Sequence, residues 1–413
     1  MAHGGRGMSV GVEPHWLLAR RDEAERTLVR TGIPDGHDEA WKYLDAKQFL
    51  VSAQPSLPDD VSRLAAALSL PEAWQVLVFA GGVFRKDLSR LASQVPGIAV
   101  EALSAALDTD APSVGAHLGE LDPLDSAMFA ANRERWSDGL FLGIPADTAL
   151  PGPVQILDIG SGSSFLRHLV VAGPRSRAEI LELRAAPDGI LAVSRSVLEA
   201  DLQEGASVSY RSLQAGGDRL RSWAGLAARL ERGAEFTSRQ FLVSGELSRT
   251  ETVVELAGPD ARADLSGLTA VSGGRVADVL TVVRHASPRA VSHQLFQALA
   301  GGKSTASFLG IVQVERDAQK TSARQSNRNL LLSREASINS RPQLEIWADD
   351  VKCSHGSTTG RLDDKALFFL RSRGFSEEGA RALLVRAFAG ELVEQLPEGS
   401  FRSLVETLLE ETL

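Results

Sequence analysis

The sequence predicts a mainly β protein with helical segments at both ends of the chain. Short apolar runs recur between residues 154 and 348, and Gly, Ser, Asp and Pro separate them. The first 110 residues are instead rich in helix-forming residues, and the last fifty carry apolar stripes at helical spacing. The strand-rich part alone fits a sandwich, a barrel or a β-solenoid, because no strict repeat is visible in it.

The N-terminal part is predicted to be helical with a little β structure. Residues 15–30 and 61–70 have helix-forming composition and end at turn residues, and residues 77–80 form a strand that runs into two glycines. The segment 38–43, DEAWKY, contains Trp41 and is assigned to structural packing rather than to chemistry.

A boundary is predicted at residues 139–153, where glycine and proline crowd together. Beyond it, strands are predicted at residues 154–159, 165–171, 178–183, 190–197, 241–243, 252–256, 279–283, 308–314 and 344–348. Residues 220–231, LRSWAGLAARLE, have strong helix propensity inside this β region. The residues alone leave that conflict open.

Two amphipathic helices are predicted at the C-terminal end. The first carries an apolar stripe formed by Ala380, Leu383, Leu384, Ala387 and Phe388. The second, after Ser400, carries one formed by Phe401, Leu404, Val405, Leu408 and Leu409. Each stripe is expected to pack within the protein or to meet a partner.

Composition narrows the class of protein. The 413 residues carry a net charge of −9, which argues against a general nucleic-acid binder, since such proteins need a basic surface. The chain has no run of 18 apolar residues and no apolar core of a signal peptide near residue 1. A single cysteine excludes an intramolecular disulfide. These features predict a cytoplasmic protein.

The candidate functional residues are Cys353 and His355. Apolar and polar residues alternate over residues 344–349, which is the period of a half-buried strand. If the extended chain continues, Cys353 and His355 project from one face with Cα atoms roughly 6.6 Å apart, and both can reach one metal ion. Residues 356–360 are then expected to break the strand. The alternative is a buried cysteine and a hydrogen-bonded histidine, because no second cysteine completes a site.

Several segments resemble SufD-type proteins of the SufB/SufD family, which act in iron–sulfur cluster assembly by the SUF system. The resemblance spans nearly the whole chain. Its segments are LEIWADDVKCSHGSTTGRLDD at 344–364, LFFLRSRG at 367–374, NRNLLLS at 327–333, FLGIVQVERDAQKT at 308–321 and DEAWKY at 38–43. The ADDVKCSHG block favours the SufD side of the family.

The resemblance implies a right-handed parallel β-helix core at 141–356, an α-rich domain at 1–140 and a helical C-terminal domain at 357–413. It implies a non-catalytic scaffold that pairs with SufB and docks the ATPase SufC, which binds the ATP. Leu383, Leu384 and Phe388 are the predicted contacts with SufC. An iron–sulfur cluster needs about four protein ligands, so a transient cluster would be shared with SufB. His355 is the first candidate ligand and Cys353 the second.

Other motifs suggest other chemistry. Residues 157–163, LDIGSGS, are similar to the glycine loop of an S-adenosylmethionine-dependent methyltransferase, with Glu179 or Glu182 near the ribose-binding position. This enzyme is the main alternative, although a strand-like run follows the loop where a helix is required. Residues 301–305, GGKST, mimic the end of a P-loop, but Gln297 stands where that motif needs glycine.

Further polar residues are predicted to have structural roles. His285, His293 and Asp278 lack a spacing that fixes a common site, and hydrogen bonding within the β region is expected of them. Side-chain ladders or turn contacts are expected of Arg324, Gln325, Asn327 and Asn329. A last alternative function is a homodimeric β-helix structural protein without metal, which would not co-purify with an ATPase.

Overall fold

Two parallel β-sheets wind together into a solenoid of about eight turns. The computed structural model describes residues 13–54, 57–93, 95–123 and 126–412. The helices are α1 (His15–Thr31), α2 (Pro58–Leu68), α3 (Leu103–His117), α4 (Ala127–Arg135), α5 (Asp364–Ser372), α6 (Glu377–Val393) and α7 (Ser400–Thr412). Among the described residues, no helix is both long and apolar enough to cross a membrane.

Nineteen strands are described. They are β1 (Gln75–Ala80), β2 (Val83–Phe84), β3 (Ala99–Ala102), β4 (Leu140–Ile144), β5 (Val154–Ile159), β6 (Ser163–Ala172), β7 (Arg177–Ala185), β8 (Ala192–Leu202), β9 (Ser207–Gln214), β10 (Leu220–Leu230), β11 (Glu235–Leu242), β12 (Leu247–Leu256), β13 (Arg262–Val271), β14 (Val276–His285), β15 (Val291–Ala300), β16 (Thr305–Val314), β17 (Ser322–Leu331), β18 (Ser337–Ile346) and β19 (Lys352–Arg361). The predicted mainly β fold with flanking helices is confirmed.

Successive strands alternate between the two sheets. The first sheet has the order β19-β17-β15-β13-β11-β9-β7-β5-β1-β2, and the second has the order β18-β16-β14-β12-β10-β8-β6-β4-β3. From β4 and β5 onward each strand runs parallel to its neighbours, and strand side chains point alternately into the space between the sheets, here called the lumen, and outward. Residues at the same position on successive turns therefore stack in register.

The segment 220–231, whose helix propensity conflicted with its position, forms a strand. Strand β10 pairs in parallel with β8 on one side and β12 on the other. Trp223 is fully buried, and its ring meets that of Phe129 on α4 edge-on at 5.2 Å between centroids. Both faces of β10 are covered, so tertiary burial outweighs the local preference for helix.

Helices cover the outer faces of both sheets. The apolar lumen is the largest core, and a second core lies between the first sheet and α2, α6 and α7. On α7, Phe401, Val405 and Leu409 are buried as predicted. On α6, Val385 and Ala389 are buried, whereas Leu383 is 42% exposed. Of the predicted stripe, Ala380 is buried and Leu384 and Phe388 are half-buried, so it is divided between the core and the surface. Spacing alone did not select the docked face, because apolar residues cover most of that helix.

The DEAWKY segment packs on the second sheet, as predicted. Residues Glu39–Trp41 form a short 3-10 turn whose start is capped by the Asp38 carboxylate, which accepts from the Ala40 N–H. The guanidinium of Arg249 on β12 lies 3.8 Å from the centroid of the Trp41 ring and donates to the Ala40 carbonyl at 2.9 Å. Trp41 itself is 5% exposed.

We expect Trp41→Ala to lower the free energy of unfolding by about 3–5 kcal/mol, because it leaves a cavity in a closed core and exposes one face of a buried arginine. Urea denaturation monitored by circular dichroism measures the change. The exposed neighbour supplies the control, since Lys42→Ala should change the midpoint little. Equal effects of the two substitutions would contradict the packing role of Trp41.

Candidate functional site at the open end of the solenoid

The last turn of the solenoid ends in two strands with one free edge each. In the described part of the chain, β18 pairs only with β16 and β19 only with β17. A free edge presents backbone N–H and C=O groups that can pair with a strand of another chain. We call this end of the solenoid, formed by β18 and β19, the open end.

The two free edges differ in the donors that they offer. The Lys352 N–H donates to the Thr321 carbonyl at 2.9 Å, so by alternation the N–H groups of residues 353, 355, 357 and 359 face the free edge of β19. On β18, the Ser337 N–H donates to Ser304, which places position 342 on the free edge. That position is Pro342, which has no N–H. The β19 edge is therefore the better one for adding a strand.

Cys353 and His355 lie on β19 with their side chains on one face, as predicted. They stack in register on Ala323 and Gln325, which are 2% exposed and line the lumen. The alternating segment 344–349 and Cys353 do not lie on one continuous strand, which differs from the expectation. Strand β18 ends at Ile346, and a corner at 347–351 precedes β19.

The expected strand break at residues 356–360 is also wrong. Strand β19 continues to Arg361, because its whole length pairs with β17, up to the pair of Leu331 with Arg361. The glycines at 356 and 360 are accommodated in the extended chain of an edge strand. The division into domains at residues 140 and 356 stays a prediction.

The two candidate ligands differ in exposure. Cys353 is half-buried and packs against the apolar group that includes Val312 and Ala323, whereas His355 is exposed. Burial raises the pKa of the Cys353 thiol, and the Ala323 N–H, which donates to the sulfur, opposes part of that rise. Cys353 must therefore lose a proton that its surroundings retain before its sulfur can bind a metal, whereas the imidazole of His355 is open to solvent.

The donor set of this chain fits half of a cluster site. Within the described ranges, no group of three or more His, Cys, Asp and Glu side chains is placed to hold a metal ion. Cys353 and His355 supply one sulfur and one imidazole, both of which are known ligands of iron in clusters. Further ligands would have to come from a chain that meets the open end.

Polar side chains fill the lumen just below the open end. In register, Asn327 stacks under Ser357 and Asn329 under Thr359. The Asn329 amide nitrogen donates to the Asn327 side-chain oxygen at 2.6 Å and to the Thr359 hydroxyl at 3.3 Å. The predicted side-chain ladder is thus confirmed for the asparagines, whereas Arg324 points outward and is exposed.

The N-terminal segment reaches the open end, which the sequence did not predict. Arg341 on β18 donates to the Glu39 carbonyl at 2.7 Å and to the Glu39 carboxylate at 3.1 Å. Its guanidinium lies 5.5 Å from the centroid of the Tyr43 ring. The DEAWKY segment therefore braces the outer face of the last strand of the second sheet.

A second exposed surface lies on the C-terminal helices. Phe368 is 75% exposed, Phe369 55%, Phe375 47% and Leu383 42%. We call these four residues the aromatic patch. Of the predicted contacts with SufC, Leu383 belongs to this patch, whereas Leu384 and Phe388 are half-buried and Phe388 packs against the core under α6. The sequence did not identify the three phenylalanines, because exposure cannot be read from an apolar run.

The methyltransferase alternative conflicts with the structure. The loop after β5 leads into strand β6 and not into a helix. The Asp158 carboxylate is buried and accepts from the Ser194 hydroxyl. Glu182 is buried in an ion pair with Arg184 at 2.6 Å, and Glu179 pairs with Arg211. None of these carboxylates faces a cofactor cleft.

The P-loop-like segment at 301–305 forms no nucleotide site, and His285, His293 and Asp278 do not come together. Residues 301–304 make the corner between β15 and β16, and Lys303 pairs with Glu335 at 3.6 Å. His285 lies in the lumen with its Nε2 2.8 Å from the Ser292 hydroxyl, while His293 is exposed on the opposite face of its strand. Asp278 faces outward and pairs with Arg249. The predicted structural roles fit His285 and Asp278.

Comparison with known proteins decides the family. The model of the SUF system FeS cluster assembly SufBD core domain matches residues 156–388, which is more than half of the chain. The chain belongs to the SufBD family. The matched range begins in β5 and ends in α6, so it contains the open end with Cys353 and His355 and all four residues of the aromatic patch.

Relatives of this SufBD-family chain match it over nearly its whole length. The iron–sulfur cluster assembly SufBD family protein slr0076 of Synechocystis is 30% identical, over 96% of this chain and 91% of its own. The iron–sulfur cluster assembly protein SufD of Escherichia coli is 27% identical, over 92% and 89%. The chloroplastic protein ABCI7 of Arabidopsis thaliana is 26% identical, over 92% and 83%.

Proposed function

We propose that this SufBD-family protein is a non-catalytic scaffold subunit that pairs with a SufB-type chain and docks a SufC-type ATPase. The observation that carries the proposal is the open end, where a free strand edge and the Cys353–His355 pair occur on the same strand. Likeness to Escherichia coli SufD over 92% of the chain supports the SufD-type role.

Pairing through the open end follows from the backbone groups of β19. A second solenoid that placed its own edge strand against β19 would satisfy the N–H and C=O groups that now face solvent. Such an addition continues the first sheet across the interface. It also brings the side chains of the partner opposite Cys353 and His355, which point toward the lumen at this end.

The nascent iron–sulfur cluster is the cargo of the site and not a resident cofactor. Two donors from this chain and further donors from the partner would complete the ligands that a cluster needs, which is about four. Pairing would also exclude water from the half-buried Cys353. His355 would supply an imidazole nitrogen to iron, and the lumen side chains below it would supply hydrogen-bond donors.

The aromatic patch is the proposed docking surface for the ATPase. Phe368 and Phe369 on α5, Phe375 in the turn that follows and Leu383 on α6 are all exposed, which is unusual for a surface without a partner. ATP is bound by that partner in this proposal. Hydrolysis there would then move α5 and α6 and change how the two solenoids meet.

We expect Phe368→Glu and Leu383→Glu to weaken ATPase binding by at least about tenfold without unfolding the chain, because both side chains are exposed. Phe388→Glu should instead destabilise the C-terminal helices, since Phe388 packs against the core. Isothermal calorimetry and thermal melting measure the two effects. Val29→Glu, on an exposed apolar residue of α1, is the control for added charge. Unchanged ATPase binding by Phe368→Glu would contradict the docking surface.

Co-expression tests the proposal as a whole. The tagged chain is produced together with SufB-type and SufC-type proteins from one organism and purified through its tag. We expect all three chains in one complex. When residues 360–413 are deleted from this chain, we expect the SufC-type ATPase to be missing from the complex. Retention of the ATPase at full yield by the deleted chain would contradict docking at the C-terminal helices.

A further inference from the structure

Gln325 lies in the lumen directly beneath His355. The two residues are register partners on β17 and β19, and Gln325 is 2% exposed. Neither amide atom of Gln325 has a hydrogen-bond partner among the described residues. A buried amide with both groups unpaired is unfavourable, so a hydrogen-bond partner is expected for it.

The preceding turns show what Gln325 lacks. One turn deeper, the Thr281 hydroxyl donates across the lumen to the side-chain oxygen of Gln294 at 2.8 Å. Gln294 is the register partner of Gln325 on that turn. A second pair lies two turns deeper in the neighbouring ladder, which leads to Asn327, where the Gln240 amide donates to the Thr252 hydroxyl at 2.8 Å. The glutamine–threonine contact that Gln294 makes across the lumen is missing for Gln325 on the next turn.

The missing partner is explained by Gly310. In register, Thr252, Thr281, Gly310 and Pro342 stack on the second sheet, so glycine stands where a hydroxyl would meet Gln325. A Cβ at Gly310 would overlap the Gln325 amide nitrogen and approach Phe308 Cζ to 2.6 Å. Glycine therefore makes room for the Gln325 side chain, and Pro342 on the next turn offers it no side-chain polar group.

Along the ladder, the polar neighbours of Gln325 are Gln294, one turn deeper, and His355, one turn above. The side-chain nitrogen of Gln294 is also unpaired among the described residues, but its oxygen already accepts from Thr281, whereas His355 lies at the open end. Asn329 also has an unpaired side-chain oxygen, but its amide nitrogen already bonds to Asn327 and to Thr359, its own register partner on β19. Gln325 alone among these amides has both atoms free below an imidazole. An amide can accept from or donate to an imidazole nitrogen.

We propose that Gln325 is a positioning residue for His355: when the exposed imidazole turns toward the lumen, the unpaired amide holds it by one ring nitrogen so that the other faces the open end. The proposal rests on the proposed function in one respect, which is that His355 binds iron in the cluster. Ligating histidines are commonly fixed in this way by a second hydrogen bond, which sets the tautomer and the ring orientation. Gly310 is part of the arrangement, because it frees the amide for this contact.

The tautomer of His355 in the isolated full-length chain tests the proposal without iron and without a partner. Long-range ¹⁵N correlation spectra measure the ratio of the two neutral tautomers, and His355 is assigned by its absence from the spectrum of His355→Ala. We expect Gln325→Met, which keeps the length and removes the polar atoms, to change this ratio by about fivefold, as loss of one hydrogen bond implies.

Two further variants complete the test. Gln294→Met is the matched control, because it alters the same ladder one turn deeper and should leave the His355 ratio unchanged. Gln325→Asn keeps the amide but withdraws it by one methylene, so it should change the ratio in the same direction even if Gln325→Met fails to fold. An unchanged ratio in a folded Gln325 variant would overturn the proposal.

Iron and sulfide content of the complex separates this inference from the proposed function. We expect Gln325→Met to lower both by about tenfold in the complex with the partner. A changed tautomer ratio with full loading would support positioning and show that cluster loading does not depend on it. An unchanged ratio with reduced loading would overturn positioning and leave the proposed function intact.

Discussion

We expect Ser357→Pro to abolish stable pairing with the SufB-type partner while the isolated chain stays folded. The Ser357 N–H faces the free edge of β19, so proline removes no hydrogen bond to β17. Its ring fills the space that a partner strand needs, and the edge loses a donor. Pro342 on β18 shows that this solenoid accepts proline at an edge position whose nitrogen faces outward.

Loss of ladder hydrogen bonds together with the steric conflict should raise the Kd by at least about a hundredfold. Surface plasmon resonance with immobilised partner measures it, and thermal melting reports the fold. Ser357→Ala is the control, because it removes the 2.7 Å contact with the Ser340 hydroxyl but keeps the N–H. Normal pairing by folded Ser357→Pro would show that the β19 edge is not the interface.

His355→Ala should preserve the complex with the SufB-type and SufC-type partners but lower its iron and sulfide content by at least about tenfold. The exposed imidazole contributes little to the fold, and its removal leaves an open coordination position. The measurement is chemical analysis of iron and sulfide in the reconstituted complex, together with its visible absorption.

Cys353→Ser is the companion variant. Its effect should be milder if the half-buried sulfur is only a neighbour of the cluster, because serine keeps the size and the place of the side chain. Full cluster loading in the complex of His355→Ala would remove His355 from the site. Failure of that complex to assemble would return His355 to the structural role of holding the end of the solenoid together.

The strand-rich core could be predicted from short apolar runs, but the choice of a solenoid could not. Inward residues of successive turns, such as Gln294 and Gln325, share neither identical neighbours nor one fixed spacing, so no repeat is visible. Residues 220–230 show the same limit, because their helix propensity is local and their strand partners lie on other turns. The choice of a β-helix came from the resemblance to the family and not from the periodicity.

For the candidate site, alternation placed Cys353 and His355 on one face correctly. The corner at 347–351 was missed, because an alternating pattern can continue through a turn. The roles of Gln325 and Gly310 depend on stacking between turns, and the exposure of Phe368 depends on how α5 docks. Both are properties of distant contacts, which one sequence does not encode in its spacing.

The measurement that tests the central claim most directly is the iron and sulfide content of this chain purified alone and purified in complex with its SufB-type partner, both under anaerobic reconstitution. We predict a cluster in the complex and none that survives purification on the isolated chain, which has too few ligands among its described residues. Stoichiometric iron and sulfide on the isolated monomer would contradict the shared site.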